Sequence, residues 1–215
     1  MADHAHDLKD LRPRPVTSRA RFLGDDAALT RALQNGHPGA PAELFDRYGG
    51  HIQRVLVNVI GVDQEIADLL HETFAQAFKS IASLKQGDRL KAWLTRIAVF
   101  TARGCLRRRT RGRWLRFFAP EQLPETRCND ATPEMREAVA ATYAVLDKMS
   151  VDLRVPFALR YMEGLDLKEV ASACEVSLAT IKRRLAKADA RFVSLASREP
   201  ALGDWLREGS RWTAR

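Results

Sequence analysis

Apolar residues recur three and four positions apart from residue 25 nearly to residue 198, and the strict alternation of a half-buried strand is absent. The pattern predicts an all-α protein. Ala28, Leu29, Ala32 and Leu33 form a first short stripe, with Asp25-Asp26 placed to cap its start and Asn35-Gly36 to end it. Pro41 opens a longer segment in which Leu44, Phe45, Tyr48, Ile52, Val55, Leu56 and Val59 share a face, and Gly61 stops it. Asp63 is placed to cap a third helix striped by Ile66, Leu69, Leu70, Phe74, Ala77, Phe78 and Ile81. After a break at Gly87-Asp88, a fourth helix is expected from Leu90 to near Arg109.

Periodicity then lapses. Residues 112–134 carry Pro120, Pro124 and Pro133 among scattered polar residues, which reads as a linker. A second helical block follows from Pro133 to near Ser197. The expected organisation is two small helical domains, 25–115 and 135–198, joined by a flexible linker over 116–134. A polar arm at 1–24, rich in Pro and Arg (Arg12-Pro13-Arg14-Pro15), and a tail at 199–215 complete the chain.

Composition narrows the function classes. Of the 215 residues, 46% are hydrophobic, enough for packed cores, and the formal charge of +8 favours a polyanionic partner. Cys105, Cys128 and Cys174 are far apart and form no CxxC pair, which argues against a disulfide framework or structural zinc and fits a reducing cytoplasm. No apolar run approaches the roughly 18 residues of a membrane span and the start lacks a signal-peptide core, so no membrane insertion is expected. Ala2-Asp3-His4 has the donors of a square-planar copper or nickel site once Met1 is removed, but reads as a solvated chain start. His4, His6, His37, His51 and His71 lack metal spacing. Glu65, Asp68 and Glu72 share a helical side without an accompanying nucleophile or base, and read as a solvated or partner-facing acidic surface. No metal, cofactor or catalytic residue is expected.

The positive charge is unevenly spread. Between Arg103 and Arg116 there are seven arginines and no Asp or Glu. With residues placed at roughly 100° intervals, Leu90, Leu94, Ile97, Ala98, Thr101 and Cys105 form the apolar stripe of the fourth helix. Arg96, Phe100, Arg103 and Arg107 fall on the opposite side, with Trp93 at the border. Arginine forks suit phosphates and aromatic rings suit unstacked bases, so this face fits single-stranded or melting nucleic acid.

The second block carries a different signature. Leu167, Val170, Ala171 and Cys174 stripe a short helix, Glu175-Val176 turns, and Ser177 is placed as the N-cap of a helix with Leu178, Ile181, Leu185, Ala188 and Phe192 on its inner face. This is the spacing of a helix-turn-helix, whose second helix enters the major groove. Its outward side carries Ala179, Thr180, Lys182, Arg183, Arg184 and Lys187.

Both blocks, in this order, resemble the extracytoplasmic-function group of the sigma-70 family over about residues 25–196. Ala42–Tyr48 is similar to the start of the sigma-2 domain. DQEIADLLHETFAQAF, from Asp63 to Phe78, resembles the segment that grips the clamp helices of RNA polymerase. That match implies polymerase contacts at Asp68, Leu69, His71, Glu72 and Phe74. LKQGDRL (Leu84–Leu90) resembles the loop that captures a base flipped from the −10 element, which implicates Gly87, Asp88 and Arg89. The helix with the motif KAWLTRIA resembles the one that melts and reads that element, which implicates Trp93, Arg96, Phe100, Arg103 and Arg107. GLDLKEVASACEVSLATIKRRLAKA (Gly164–Ala188) resembles the sigma-4 helix-turn-helix that reads the −35 element, with Ser177, Ala179, Thr180, Lys182, Arg183, Arg184 and Lys187 as candidates.

The sequence departs from the family pattern at His71, where Gln is usual, at Glu175, where Gly is usual, and at Lys148-Met149-Ser150, which replaces a Leu-Pro pattern. The resemblance implies a promoter-specificity factor with no catalysis of its own, whose partners are bacterial core RNA polymerase, promoter DNA and an anti-sigma factor. The alternative is a stand-alone helix-turn-helix regulator that binds duplex DNA as a dimer; it leaves the acidic and apolar segment around Asp68 unexplained.

Overall fold

The computed structural model describes residues 24–84, 89–115 and 132–203. They are helical throughout, with no strand among them. Helix α1 (Asp26–Gln34) starts where the Asp25 carboxylate accepts from the Ala28 amide at 2.8 Å. Helix α2 (Ala40–Ile60) begins one residue before Pro41, runs unbroken through Gly49-Gly50 and ends at Gly61, whose φ of 96° a side-chain-bearing residue adopts only with strain. Helix α3 (Ile66–Ser80) begins later than Asp63 suggests: Glu65 is its N-cap, and Asp63 accepts from the Glu65 amide to close the turn before it. A single 3-10 turn, Ile81–Ser83, follows.

Helix α4 (Leu90–Leu115) extends past Arg109 into the arginine-rich run. Thr132 caps helix α5 (Pro133–Asp147). Helix α6 (Val151–Phe157) contains Pro156, which cannot donate to the helical ladder, and passes into a π-turn over Ala158–Met162. Helix α7 (Leu167–Cys174) has a reciprocal capping box between Asp166 and Glu169, and helix α8 (Leu178–Ala196) starts at the Ser177 cap. No helix among the described residues is long and apolar enough to cross a membrane.

The first block packs α2, α3 and α4 around Leu44, Ile52, Leu56, Leu69, Phe74, Leu94 and Ala98. The second block has its own core of Val145, Leu146, Phe157, Ala188 and Phe192, where the Phe157 and Phe192 rings stack with centroids 4.6 Å apart. The two blocks also touch directly. Helix α4 packs against α7 and α6 as well as α2 and α3, and Val155, Leu159, Val170, Cys174 and Ile181 join the first block's core. This explains why α4 is buried more widely than one stripe. Val99, Ala102 and Leu106, about 100° round the helix from the expected face, are also buried.

Candidate nucleic-acid interface

Helices α7 and α8 form the expected helix-turn-helix. Ser177 accepts from the Thr180 amide at 3.2 Å, satisfying a donor at the start of α8. Ile181, Leu185 and Ala188 face inward and are buried. Ser177, Ala179, Lys182, Arg183 and Lys187 are exposed, and Thr180 is partly so. Arg184 is half-buried, with Nη2 at 3.4 Å from the Asp152 carboxylate on α6. Residues at the α8 N-terminus are thus open to solvent, with the cations Lys182, Arg183 and Lys187 exposed behind them. The turn turns on Glu175, the one non-glycine residue with positive φ among those described (φ 54°).

The basic side of α4 is arranged less simply. Phe100 is 69% exposed, an unusual state for a large apolar ring, and Arg89 and Arg107 are exposed near it along the helix. Arg96 lies 3.6 Å from the Glu175 carboxylate. Arg103 donates from Nη1 to the Cys174 carbonyl oxygen at 3.1 Å, while its Nε and Nη2 are buried with no hydrogen-bond partner. Trp93 is buried, so the structure places it in the core behind this face. Gly87 and Asp88 lie outside the described residues.

On α3 the structure separates the candidates by burial. Asp68, His71 and Glu72 are exposed, whereas Leu69 and Phe74 are core residues. Phe74 instead links two half-exposed rings, Phe45 at 5.0 Å and Phe78 at 6.3 Å between centroids. The result is an aromatic ridge beside an acidic rim. Glu65 does not join that rim: Arg109 holds it at 2.5 Å and also pairs with Asp63 at 2.8 Å, and the Arg109 hydrogen bond pulls the Glu65 carboxyl below its usual pKa. No group of three or more metal-ligating side chains occurs among the described residues.

Two family models match this chain in the order of the two blocks. Sigma-70 region 2 matches residues 44–112, and Sigma-70 region 4 matches residues 140–190, together more than half of the chain. The chain belongs to the sigma-70 family. Within it the extracytoplasmic-function type is shown by relatives such as the ECF RNA polymerase sigma-E factor of Haemophilus influenzae, 28% identical over 76% of this chain and 90% of that protein. The RNA polymerase sigma-H factor of Pseudomonas aeruginosa is 24% identical over 76% of this chain and 89% of its own length. Two solved structures share the fold. CnrH in complex with the cytosolic domain of CnrY gives a TM-score of 0.56 at 20% identity, covering 79% of this chain and 96% of that one. The sigma factor RpoE in complex with the anti-sigma factor NepR from Bartonella quintana gives 0.56 at 20% identity, covering 72% and 95%.

In sigma-70 terms, region 2 holds the aromatic ridge, the acidic rim and the basic side of α4, and region 4 holds the helix-turn-helix. Sequence reasoning missed the residues that join the regions. His51 on α2 contacts Thr95 Oγ1 at 2.9 Å and Glu163 at 3.4 Å. Burial, reinforced by the Lys91 charge, lowers its pKa, so near neutral pH the imidazole is uncharged and its contact with Glu163 is not an ion pair. Arg154, Tyr143 and Asn58 also reach across. Nothing in the local pattern marks these residues, because their partners lie more than eighty positions away. The second stripe of α4, by contrast, was readable from its spacing.

Proposed function

We propose that this sigma factor directs bacterial core RNA polymerase to promoters through three separate surfaces. The exposed Asp68, His71 and Glu72, with the Phe45 and Phe78 rings, dock on the polymerase. Arg89, Arg96, Phe100, Arg103 and Arg107 hold the non-template strand of the −10 element. Ser177, Ala179, Thr180, Lys182, Arg183, Arg184 and Lys187 read the duplex at −35. The observation that carries this reading is the 69% exposure of Phe100 on a helix whose neighbouring side chains are arginines. A ring left in water at that position costs stability that only a stacked base or another partner returns. No step of chemistry is asked of this chain, and no cofactor. It works beside polymerase, in the cytoplasm. An anti-sigma factor is the third partner, which the likeness to RpoE, solved in complex with the anti-sigma factor NepR, supports.

The reading is tested by co-elution with core polymerase on a sizing column. Asp68→Arg with Glu72→Arg is expected to abolish co-elution, while Arg183→Ala with Lys187→Ala leaves it intact and weakens binding to a −35 duplex. Equal loss in both double variants would refute the division of surfaces.

A further inference from the structure

Helix α2 ends without a cation of its own: its last turn has no basic residue, although the terminal carbonyls there carry the negative end of the helix dipole. Region 4 supplies what is missing. Arg154 on α6 is 3% exposed and donates from Nε to the Val59 carbonyl and from Nη2 to the Ile60 carbonyl, both at 2.8 Å, with Asp147 bridged to Nη1. The Tyr143 hydroxyl on α5 donates to the Val57 carbonyl at 3.0 Å. Its ring lies where any Cβ at Gly61 would come within 3.2 Å. Alongside, the π-turn delivers Glu163, whose side chain is 5% exposed. Glu163 accepts from Asn58 at 2.8 Å and faces Arg54 at 3.5 Å.

The same docking places the end of α7 on the basic side of α4. There the Cys174 carbonyl takes up Arg103 and the Glu175 carboxylate stands beside Arg96. The fit is incomplete, since two Arg103 nitrogens are buried without an acceptor. A phosphate offers more acceptors than one carbonyl and satisfies the guanidinium better. Helix α7 of the helix-turn-helix packs on α4, whereas −10 and −35 elements are about 25 base pairs apart, roughly 85 Å at 3.4 Å per base pair. The docked arrangement is therefore not the promoter-bound one.

We propose that region 4 is an intramolecular ligand of region 2: Arg154, Tyr143 and Glu163 latch it to α2, α7 then covers Arg96 and Arg103, and single-stranded DNA competes with that docking. The inference rests on the assignment of α4 to the −10 strand. It places the closed state in the sigma factor itself, before any partner binds.

The test uses the full-length protein. Arg54→Glu sets a like charge against Glu163 from an exposed position on α2, and Glu163→Arg combined with it restores an opposite pair at unchanged net charge. Asn58→Asp is a second, smaller opening variant. Small-angle scattering reads the separation of the regions, and fluorescence anisotropy reads binding of a labelled random-sequence single-stranded oligonucleotide. The expected result is a larger radius of gyration and on the order of tenfold tighter binding in each opening variant, with both values returned towards wild type in the charge-swapped protein. A wild-type protein that is already extended, or opening variants that bind no more tightly, overturns the latch. Failure of the α4 assignment looks different: neither wild type nor opened protein then binds the strand, and Arg103→Ala changes nothing.

Discussion

Glu175 holds the turn of the helix-turn-helix at φ 54°, a conformation that costs a side-chain-bearing residue about 1 kcal/mol relative to glycine. Its ion pair with Arg96 is exposed and is worth no more than about 1 kcal/mol. Glu175→Gly is therefore expected to keep the melting temperature within about 4 °C of wild type while loosening the hold on Arg96. A thermal melt checks this, and a fall of ten degrees or more would show the carboxylate to be far more deeply involved. His51 gives a pH signature. Its folded pKa lies below the unfolded value of about 6.5 because burial, then Lys91, disfavours the charged form, with Glu163 opposing and Arg54 adding to the shift. The unfolded chain binds the extra proton first, so this residue's contribution to stability is intact above about 6.5 and is lost as pH falls through that value. Urea midpoints at pH 7.5 and 5.5 are expected to fall more in wild type than in His51→Gln. An equal fall would assign the pH dependence to other groups.

At the scale of elements, α4 carries two jobs on one cylinder. Its apolar arc organises region 2 and meets region 4, and its basic side is the one proposed above to hold nucleic acid. Phe100→Ala removes a ring that is mostly in water, so stability is expected to change by less than about 0.5 kcal/mol while binding of single strands weakens by about 1–3 kcal/mol. Comparison of the melting curve with an anisotropy titration separates the two; parallel losses would make Phe100 a packing residue. For α7, Asp166 accepts from the Lys168 and Glu169 amides at 2.7 and 2.8 Å, and Asp166→Ala is expected to cost about 1 kcal/mol in a urea titration. On α8, Arg183→Ala is expected to lower the salt slope of duplex binding by about 1.

Much of this was legible in the sequence, because caps and stripes are local. Asp25, Gly61, Ser177 and the Leu167–Cys174 stripe sit where the pattern put them. Asp63 misled by two residues, since Glu65 is the N-cap and the Asp63 carboxylate closes a turn ahead of the helix rather than capping it. Trp93, Leu69 and Phe74 illustrate a different limit. A family motif marks positions, but does not say which of them face outward and which hold the others in place.

At the scale of the whole molecule, the pattern predicts two small helical domains joined by a linker; the described residues form two cores, and Val155, Leu159, Val170, Cys174 and Ile181 of the second block also pack into the first block's cluster. The reason is non-local. Arg154 and Glu163 are buried charges, and such groups persist only when paired or hydrogen-bonded; their partners are backbone and side chains of α2. Some cations, such as Arg154, are engaged inside the molecule, while Arg107, Lys182, Arg183 and Lys187 stay exposed.

The central claim is that this chain confers promoter-specific initiation on RNA polymerase. Run-off transcription with bacterial core polymerase on a library of promoter fragments tests it most directly. The account predicts discrete initiated transcripts that appear only when the protein is added and that disappear in Phe100→Ala with Arg103→Ala. If no transcript arises, even with polymerase from the native host, while the protein alone shifts duplex DNA as a dimer, the chain acts as a stand-alone regulator and the account is wrong.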